Sequence, residues 1–201
     1  MTSDAAEGSA EAVRAPLSYP PLTPPHLRYQ YCPMCRYALV DFWDPDGLFR
    51  SRCPACDWTY YPPNLYGIAA VVTTPDGLVL IFPPEEPPEA PAALPAGIAE
   101  FGESPEEVVI REVREETGLT VEIVRELGRW FNRDLPFGPM VQFLFETRVV
   151  GGTLRDGLEG PVAVFPEEAL PAISPNRPGS RRALAAFIEA RRAERYGVEH
   201  V

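Results

Sequence analysis

Residues Gly97 to Leu119 read G-I-A-E-F-G-E-S-P-E-E-V-V-I-R-E-V-R-E-E-T-G-L, and their spacing governs how the rest of the chain is read. Ser104 followed by Glu107 is a capping box, and Pro105 takes the first helical position, where a missing N–H is harmless. Gly118 stands where a left-handed residue ends a helix. The helix so bounded carries Glu112, Glu115 and Glu116 at i, i+3 and i+4, which gathers three carboxylates on one face. Val109, Ile110, Val113 and Thr117 fall on a different, mostly apolar face suited to packing on a sheet.

Such a gathering of acids does not stabilise a helix by itself, because like charges at i, i+4 cost roughly 0.3 kcal/mol per pair. A hard divalent cation turns the repulsion into binding, since Mg2+ prefers carboxylate oxygens. Arg111, four residues after Glu107 and four before Glu115, is placed to orient or partly neutralise either. An ordinary acidic surface helix is the competing reading, and composition alone does not choose between them.

The spacing does choose. Gly97, Glu103, Arg111, Glu112, Val113, Glu115, Glu116, Gly118 and Leu119 meet every defined position of G-x5-E-x7-R-E-U-x-E-E-x-G-U, with U a bulky aliphatic residue. The chain therefore resembles the Nudix superfamily. That resemblance implies an α/β fold, an α/β/α sandwich with a mixed β-sheet, and metal-dependent hydrolysis of a nucleoside diphosphate linked to another moiety. It implies that Glu112, Glu115 and Glu116 bind Mg2+ or Mn2+, that the carbonyl of Ala96 joins the metal shell, and that Glu103 supports the ligands. Arg111 would hold a catalytic carboxylate in place. Glu159 stands about where many Nudix enzymes offer a further metal-binding or base glutamate, with Glu146 the weaker competitor. The general base differs among these enzymes and is left open here.

Four cysteines form the second signal: Cys32-Pro-Met-Cys35 and Cys53-Pro-Ala-Cys56. The spacing C-x2-C-x17-C-x2-C is that of a four-thiolate Zn2+ site, a structural one because all four ligands come from the protein. Two disulfides or free thiols are the alternative. The sequence shows no signal peptide ahead of the cysteines, so the expected compartment is the reducing cytoplasm, where disulfides are rare.

Residues 1–26, rich in Ala, Glu, Ser and Pro, read as a disordered tail. Residues 27–63 are expected to form the zinc ribbon and 64–201 the catalytic domain. Strands are predicted over Tyr66–Thr74, Leu78–Phe82, Thr120–Trp130, Met140–Val150 and Val162–Phe165, with a hairpin turn at Pro75-Asp76-Gly77. Pro166–Leu170 reads as one helical turn. Ser180–Arg195 reads as a terminal helix with Leu184, Phe187 and Ile188 inward. No apolar run is long enough to cross a bilayer, so no membrane association is expected.

Ribbon and box together resemble the zinc-ribbon Nudix proteins, which include NADH pyrophosphatases and ADP-ribose pyrophosphatase-like hydrolases. A nucleotide-derived small molecule, ADP-ribose or NAD(H)-like, is the implied substrate, and the resemblance admits a homodimer. Two departures leave the substrate open. Where NADH pyrophosphatases carry S-Q-P-W-P-F-P-x-S, this chain has Asn132-Arg133-Asp134-Leu135-Pro136-Phe137-Gly138-Pro139-Met140. Where ADP-ribose enzymes approach the box through Trp-x-Leu-Pro-Gly-Gly and bear arginines after the second strand, this chain has Ala92-Ala93-Leu94-Pro95-Ala96-Gly97 and Pro83-Pro84-Glu85-Glu86.

Trp130, Phe131 and Phe137 are candidates to stack a nucleobase, and Arg129 and Arg133 to meet phosphates, against ordinary packing and surface roles. His26 and His200, near the chain ends, are poor catalytic candidates. A net charge of −11 argues against broad binding to a nucleic-acid backbone. It does not forbid recognition of a capped RNA end through local basic groups such as Arg36, Arg50 and Arg52. Those three more often form a solvated face, and nucleic acid is not the expected partner. A non-hydrolytic Nudix-fold sensor is the alternative function. Such proteins usually show an eroded box, and this box is intact.

Overall fold

The computed structural model describes residues 29–196 except 44, 46, 48, 62, 63, 134, 136 and 137. The chain divides into two compact units, at residues 63 and 64. The expected disordered tail, His26, His200 and Phe137 lie outside the described residues.

The first unit is a three-stranded antiparallel sheet of β1 (Val40–Trp43), β2 (Phe49–Arg52) and β3 (Thr59–Tyr60). So small a sheet buries little: Cys32, Leu39 and Cys53 form its cluster, with Trp58 packed against them, and Ser51 and Tyr60 are buried as well. The two cysteine pairs sit in matching turns. Arg36 N–H donates to Cys32 O at 2.8 Å and Asp57 N–H to Cys53 O at 3.0 Å. Arg36 and Asp57 each adopt positive φ, 64° and 58°, just after the second cysteine of their pair.

The second unit is built on a six-stranded mixed sheet. It contains β4 (Leu65–Thr74), β5 (Gly77–Ile81), β6 (Ala96–Ile98), β7 (Leu119–Asn132), β8 (Met140–Gly152) and β9 (Val162–Phe165). The order is β7-β8-β4-β5-β9, with β6 paired to β4. Only β4 and β8 run parallel; every other pair is antiparallel. β4 is central, and its run Ile68-Ala69-Ala70-Val71-Val72 is buried on both sides, as a strand covered on two faces must be.

Alternation along β4 sorts the core into two layers. Ile68, Ala70 and Val72 face helix α1 (Pro105–Thr117) and meet its Val108, Val109 and Val113. Ala69 and Val71 face helix α2 (Pro178–Tyr196) and meet its Ala183 and Phe187. The α/β/α layering follows. On α1 the buried residue is Val108 rather than Ile110, which is 42% exposed. On α2 the expected inward Ile188 sits at the margin, while Ala183 and Phe187, one turn apart, take the core positions. The expected helical turn is a short 3-10 segment, Glu167–Ala169. Strand β6 was not anticipated: three residues beside a proline-rich loop carry no periodicity, and pairing with β4 creates the strand. Among the described residues no helix is long and apolar enough to cross a membrane.

Helix α1 ends as its sequence requires. Ser104 Oγ accepts from the Glu107 N–H at 3.3 Å, and Glu107 Oε2 accepts from the Ser104 N–H at 2.8 Å. Gly118 closes the helix at φ 75°, its N–H donating to Arg114 O at 3.0 Å. A β-carbon on Gly118 would run into the Thr153 carbonyl. Ser104→Ala is expected to cost about 1 kcal/mol in urea unfolding. Gly118→Ala should cost more, about 2 kcal/mol or above, because left-handed strain adds to that collision. A smaller loss for Gly118→Ala than for Ser104→Ala would refute this account of the helix end.

Candidate active site

Helix α1 delivers Glu112, Glu115 and Glu116 to the edge of the sheet where β6 lies. Gly97 on β6 comes so close to Glu112 that any side chain there would overlap the carboxyl group. A side chain at position 97 would therefore push the Glu112 carboxyl from its place. The neighbouring Ala96 N–H donates to Glu116 Oε2 at 3.0 Å.

Arg111 organises one half of the cluster. Its Nε and Nη2 grip the two oxygens of Glu103 at 2.7 and 2.8 Å, the bidentate geometry that a guanidinium fork favours. Nη1 donates to Glu112 Oε1 at 2.8 Å and to Glu115 Oε2 at 3.2 Å, and Nη2 also reaches Ile98 O at 3.2 Å. Glu107, one of the two partners weighed for Arg111, is taken by the cap instead. The Arg111 bonds, helped by the Glu100 N–H, hold the Glu103 carboxyl down at about 2. Tyr66 donates its hydroxyl proton to the Glu103 carbonyl, tying the helix entrance to β4.

The other half is not neutralised. Glu116 is 5% exposed, and its Oε1 is buried with no hydrogen-bond partner. Burial first, and the nearby charge of Glu159 second, push its pKa up to about 9. Glu112 is raised as well, chiefly by burial, with Glu115 and Glu159 adding repulsion. Glu115 and Glu159 remain half exposed, their side chains 54% and 48% accessible.

Glu159 arrives on the segment between β8 and β9, whose backbone is fastened to the end of α1. Arg155 N–H donates to Thr117 O at 2.9 Å, and Gly157 packs directly on the Glu116 backbone. The structure thus brings Glu103, Arg111, Glu112, Glu115, Glu116, Glu159 and Ala96 together. Glu146 lies elsewhere: it is buried on β8, bonded to Arg125 at 2.7 Å and paired with Arg191 of α2 at 3.3 Å.

The aromatic and basic candidates are partly engaged. Arg182 lies over the Trp130 ring at 4.5 Å, and Arg129 pairs with Glu126 at 2.7 Å. Phe131 is 42% exposed beneath Arg133. Sequence reasoning missed Arg177, which bonds Glu86 at 2.6 Å and also faces Glu159. No local pattern could have found a pair 91 residues apart.

The four cysteine sulfurs lie within 4.8 Å of one another, with Cys32–Cys56 at 3.6 Å, Cys35–Cys53 at 3.4 Å and Cys35–Cys56 at 3.6 Å. All four are free thiols. Tetrahedral thiolates about 2.3 Å from one ion stand roughly 3.8 Å apart, so the group could hold a metal.

Residues 63–187 match the NUDIX domain family. The chain is 33% identical over 99 residues to an ADP-ribose pyrophosphatase of Methanocaldococcus jannaschii, covering 49% of this chain and 59% of that protein. It is 30% identical over 143 residues to the NAD-capped RNA hydrolase NudC of Pseudomonas aeruginosa, covering 70% of this chain and 50% of that one. The chain thus spans between half and three fifths of the length of these relatives. Among solved structures, a NUDIX hydrolase from Nitrosomonas europaea superposes with a TM-score of 0.65 at 22% identity, covering 84% of this chain and 94% of the other, which speaks to fold alone. With the complete motif on α1 and its acids assembled against β6, the family match over most of the chain leads to one conclusion: this protein belongs to the NUDIX domain family.

Proposed function

We propose that this chain is a Mg2+- or Mn2+-dependent hydrolase of the pyrophosphate bond in a nucleoside diphosphate derivative, with ADP-ribose or an NAD(H)-like compound as substrate. The observation that carries the proposal is the buried, unpartnered Oε1 of Glu116 beside two further acids. Hard carboxylate oxygens crowded without a counter-ion suit a divalent cation, and the unpartnered oxygen passes the test for one. Glu112, Glu115 and Glu116 would hold the ion, with Glu159 and the Ala96 carbonyl beside them. When bound, such an ion neutralises diphosphate charge and acidifies water.

The chain's own groups divide the remaining work. Glu103, pinned by Arg111 and held at about 2, is a poor proton acceptor and serves to fix Arg111. Arg111 in turn orients Glu112. Glu115 and Glu159, half exposed, are the carboxylates of the cluster that solvent reaches, and either could take a proton from an attacking water. The names of the two relatives, an ADP-ribose pyrophosphatase and an NAD-capped RNA hydrolase, support the choice of substrate class.

The cysteine cluster is proposed to hold structural Zn2+. Four protein thiolates would close the tetrahedron and leave no position for a substrate. Purified protein is expected to carry one Zn2+ per chain. Chelation or Cys53→Ser should abolish ordered signal from Trp58, which packs on the cluster, as read by near-ultraviolet circular dichroism. Full retention of that signal after zinc loss would overturn the structural role.

Incubation with Mn2+ or Mg2+ and a panel of ADP-ribose, NADH, NAD+, nucleotide sugars and nucleoside triphosphates should reveal one cleaved class. Glu115→Gln is expected to lower that rate about 100-fold or more. Silence across the panel in folded, zinc-loaded protein would favour a binding role.

Acidity gives a further check. Between about 4.5, the ordinary carboxyl value, and about 9, native metal-free protein retains a Glu116 proton that the unfolded chain has lost. Stability from this group is therefore complete below that window and declines as pH rises through it. Binding of the ion must displace the same proton, so Mn2+ affinity should climb about tenfold per pH unit there. Glu116→Gln should flatten the pH dependence of the metal-free melting temperature. An unchanged slope would show that Glu116 does not titrate as described.

A further inference from the structure

Arg177, just ahead of α2, is the centre of a second charge network. Its Nε donates to Glu86 Oε1 at 2.6 Å and its Nη2 to Glu85 Oε1 at 2.7 Å. Its Nη1 faces Glu159 Oε2 at 3.8 Å. Glu86 is nearly buried, and it also accepts from Ser174 Oγ and from Asn176 Nδ2, the latter at 3.1 Å. Ser174 N–H donates to Ala92 O at 2.8 Å, so the loop after β5 and the segment leading into α2 are fastened together. Two corners of the guanidinium are thus fixed, and the planar fork fixes where the third one points.

We propose that Arg177 is a positioning residue that holds the Glu159 side chain at the Glu112–Glu116 cluster, an inference that rests on the metal-dependent reading above. The backbone around Glu159 is already fixed by Arg155 and Gly157 against the end of α1. The side chain has less to hold it: it is half exposed, beside the carboxyl of Glu116. Arg177 is the cation paired with it among the described residues. At 3.8 Å the contact is an ion pair too long for a hydrogen bond, so it restrains the carboxylate without occupying its oxygens. Glu85 and Glu86, acids following the second strand of the unit, thereby act on the site through Arg177.

The test is Mn2+ binding without nucleotide, read from the paramagnetic resonance of free ion. Removing Arg177 alone would strand the Glu86 charge, so the informative variant is Arg177→Met combined with Glu86→Gln, which leaves local net charge unchanged. It should bind Mn2+ about 10-fold more weakly than wild type, as Glu159→Gln should. Adding Glu159→Gln to the pair should produce no further loss, because all act through one carboxylate. Arg177→Lys, which keeps a charge for Glu86 but loses the fork, carries the same expectation if the neutral pair does not fold.

Unchanged or tighter Mn2+ binding, or losses that multiply in the triple variant, would overturn the proposal. A raised KM with unchanged Mn2+ affinity would make Arg177 a phosphate ligand instead and overturn the positioning role. If wild type binds no Mn2+, the metal-dependent reading itself falls, and this inference with it.

Discussion

The burial of the Glu116 carboxyl beside other acids is the constraint around which the second unit is arranged. Removing a carboxylate from water costs several kcal/mol unless partners replace the lost hydration. The fold supplies one hydrogen bond, from Ala96, and leaves the second oxygen unpartnered. Arg111 does not relieve it, because its donors are committed to Glu103, Glu112 and Glu115. The cluster is thus split. A neutralised half keeps the helix entrance rigid, and a second half must hold either a proton or a cation.

That division depends on close packing by residues without side chains. Gly97 admits the Glu112 carboxyl against β6, and Gly157 lets the β8–β9 segment rest on the Glu116 backbone. Gly118 turns the chain from α1 into β7 while Thr153 N–H bonds back to its carbonyl at 3.3 Å. These contacts lie where α1 meets the sheet edge. The apolar stripe of Val108, Val109 and Val113 sets the depth and rotation of the helix, and its acids reach β6 as a consequence. Core packing on one side of the helix therefore determines the spacing of the charges on the other.

Much of this was readable in advance, for a definable reason. The cap, the helix, the left-handed glycine and the grouping of acids are local: each depends on residues within about one or two helical turns. The same holds for the paired cysteine turns, although the positive φ of Arg36 gave no warning; Asp57 is of a type that tolerates the left-handed region. What escaped was non-local. Strand β6 exists because β4 offers it partners, and the Glu86–Arg177 pair forms because two loops meet in space. Ile110 and Ile188 were misplaced because apolar periodicity defines a stripe but not its margins. Glu146, the weaker competitor to Glu159 in the sequence, lies away from the cluster. A buried acid resembles a site residue in sequence, yet Arg125 and Arg191 neutralise it inside the fold.

The two clusters differ in the metals their chemistry would suit. Soft thiolates favour Zn2+, while carboxylate and carbonyl oxygens favour Mg2+ or Mn2+. Three of the sulfur pairs stand at 3.4–3.6 Å and all four sulfurs within 4.8 Å, so an ion held there would take every ligand from the chain. The acidic cluster is the reverse, with Glu115 and Glu159 half exposed. A closed site of soft ligands can only hold the chain in shape, whereas an open site of hard ligands can exchange water for phosphate oxygen. Under the function proposed above, the chemistry would belong to the glutamates, and the cysteines would serve the architecture of a unit with a small apolar cluster.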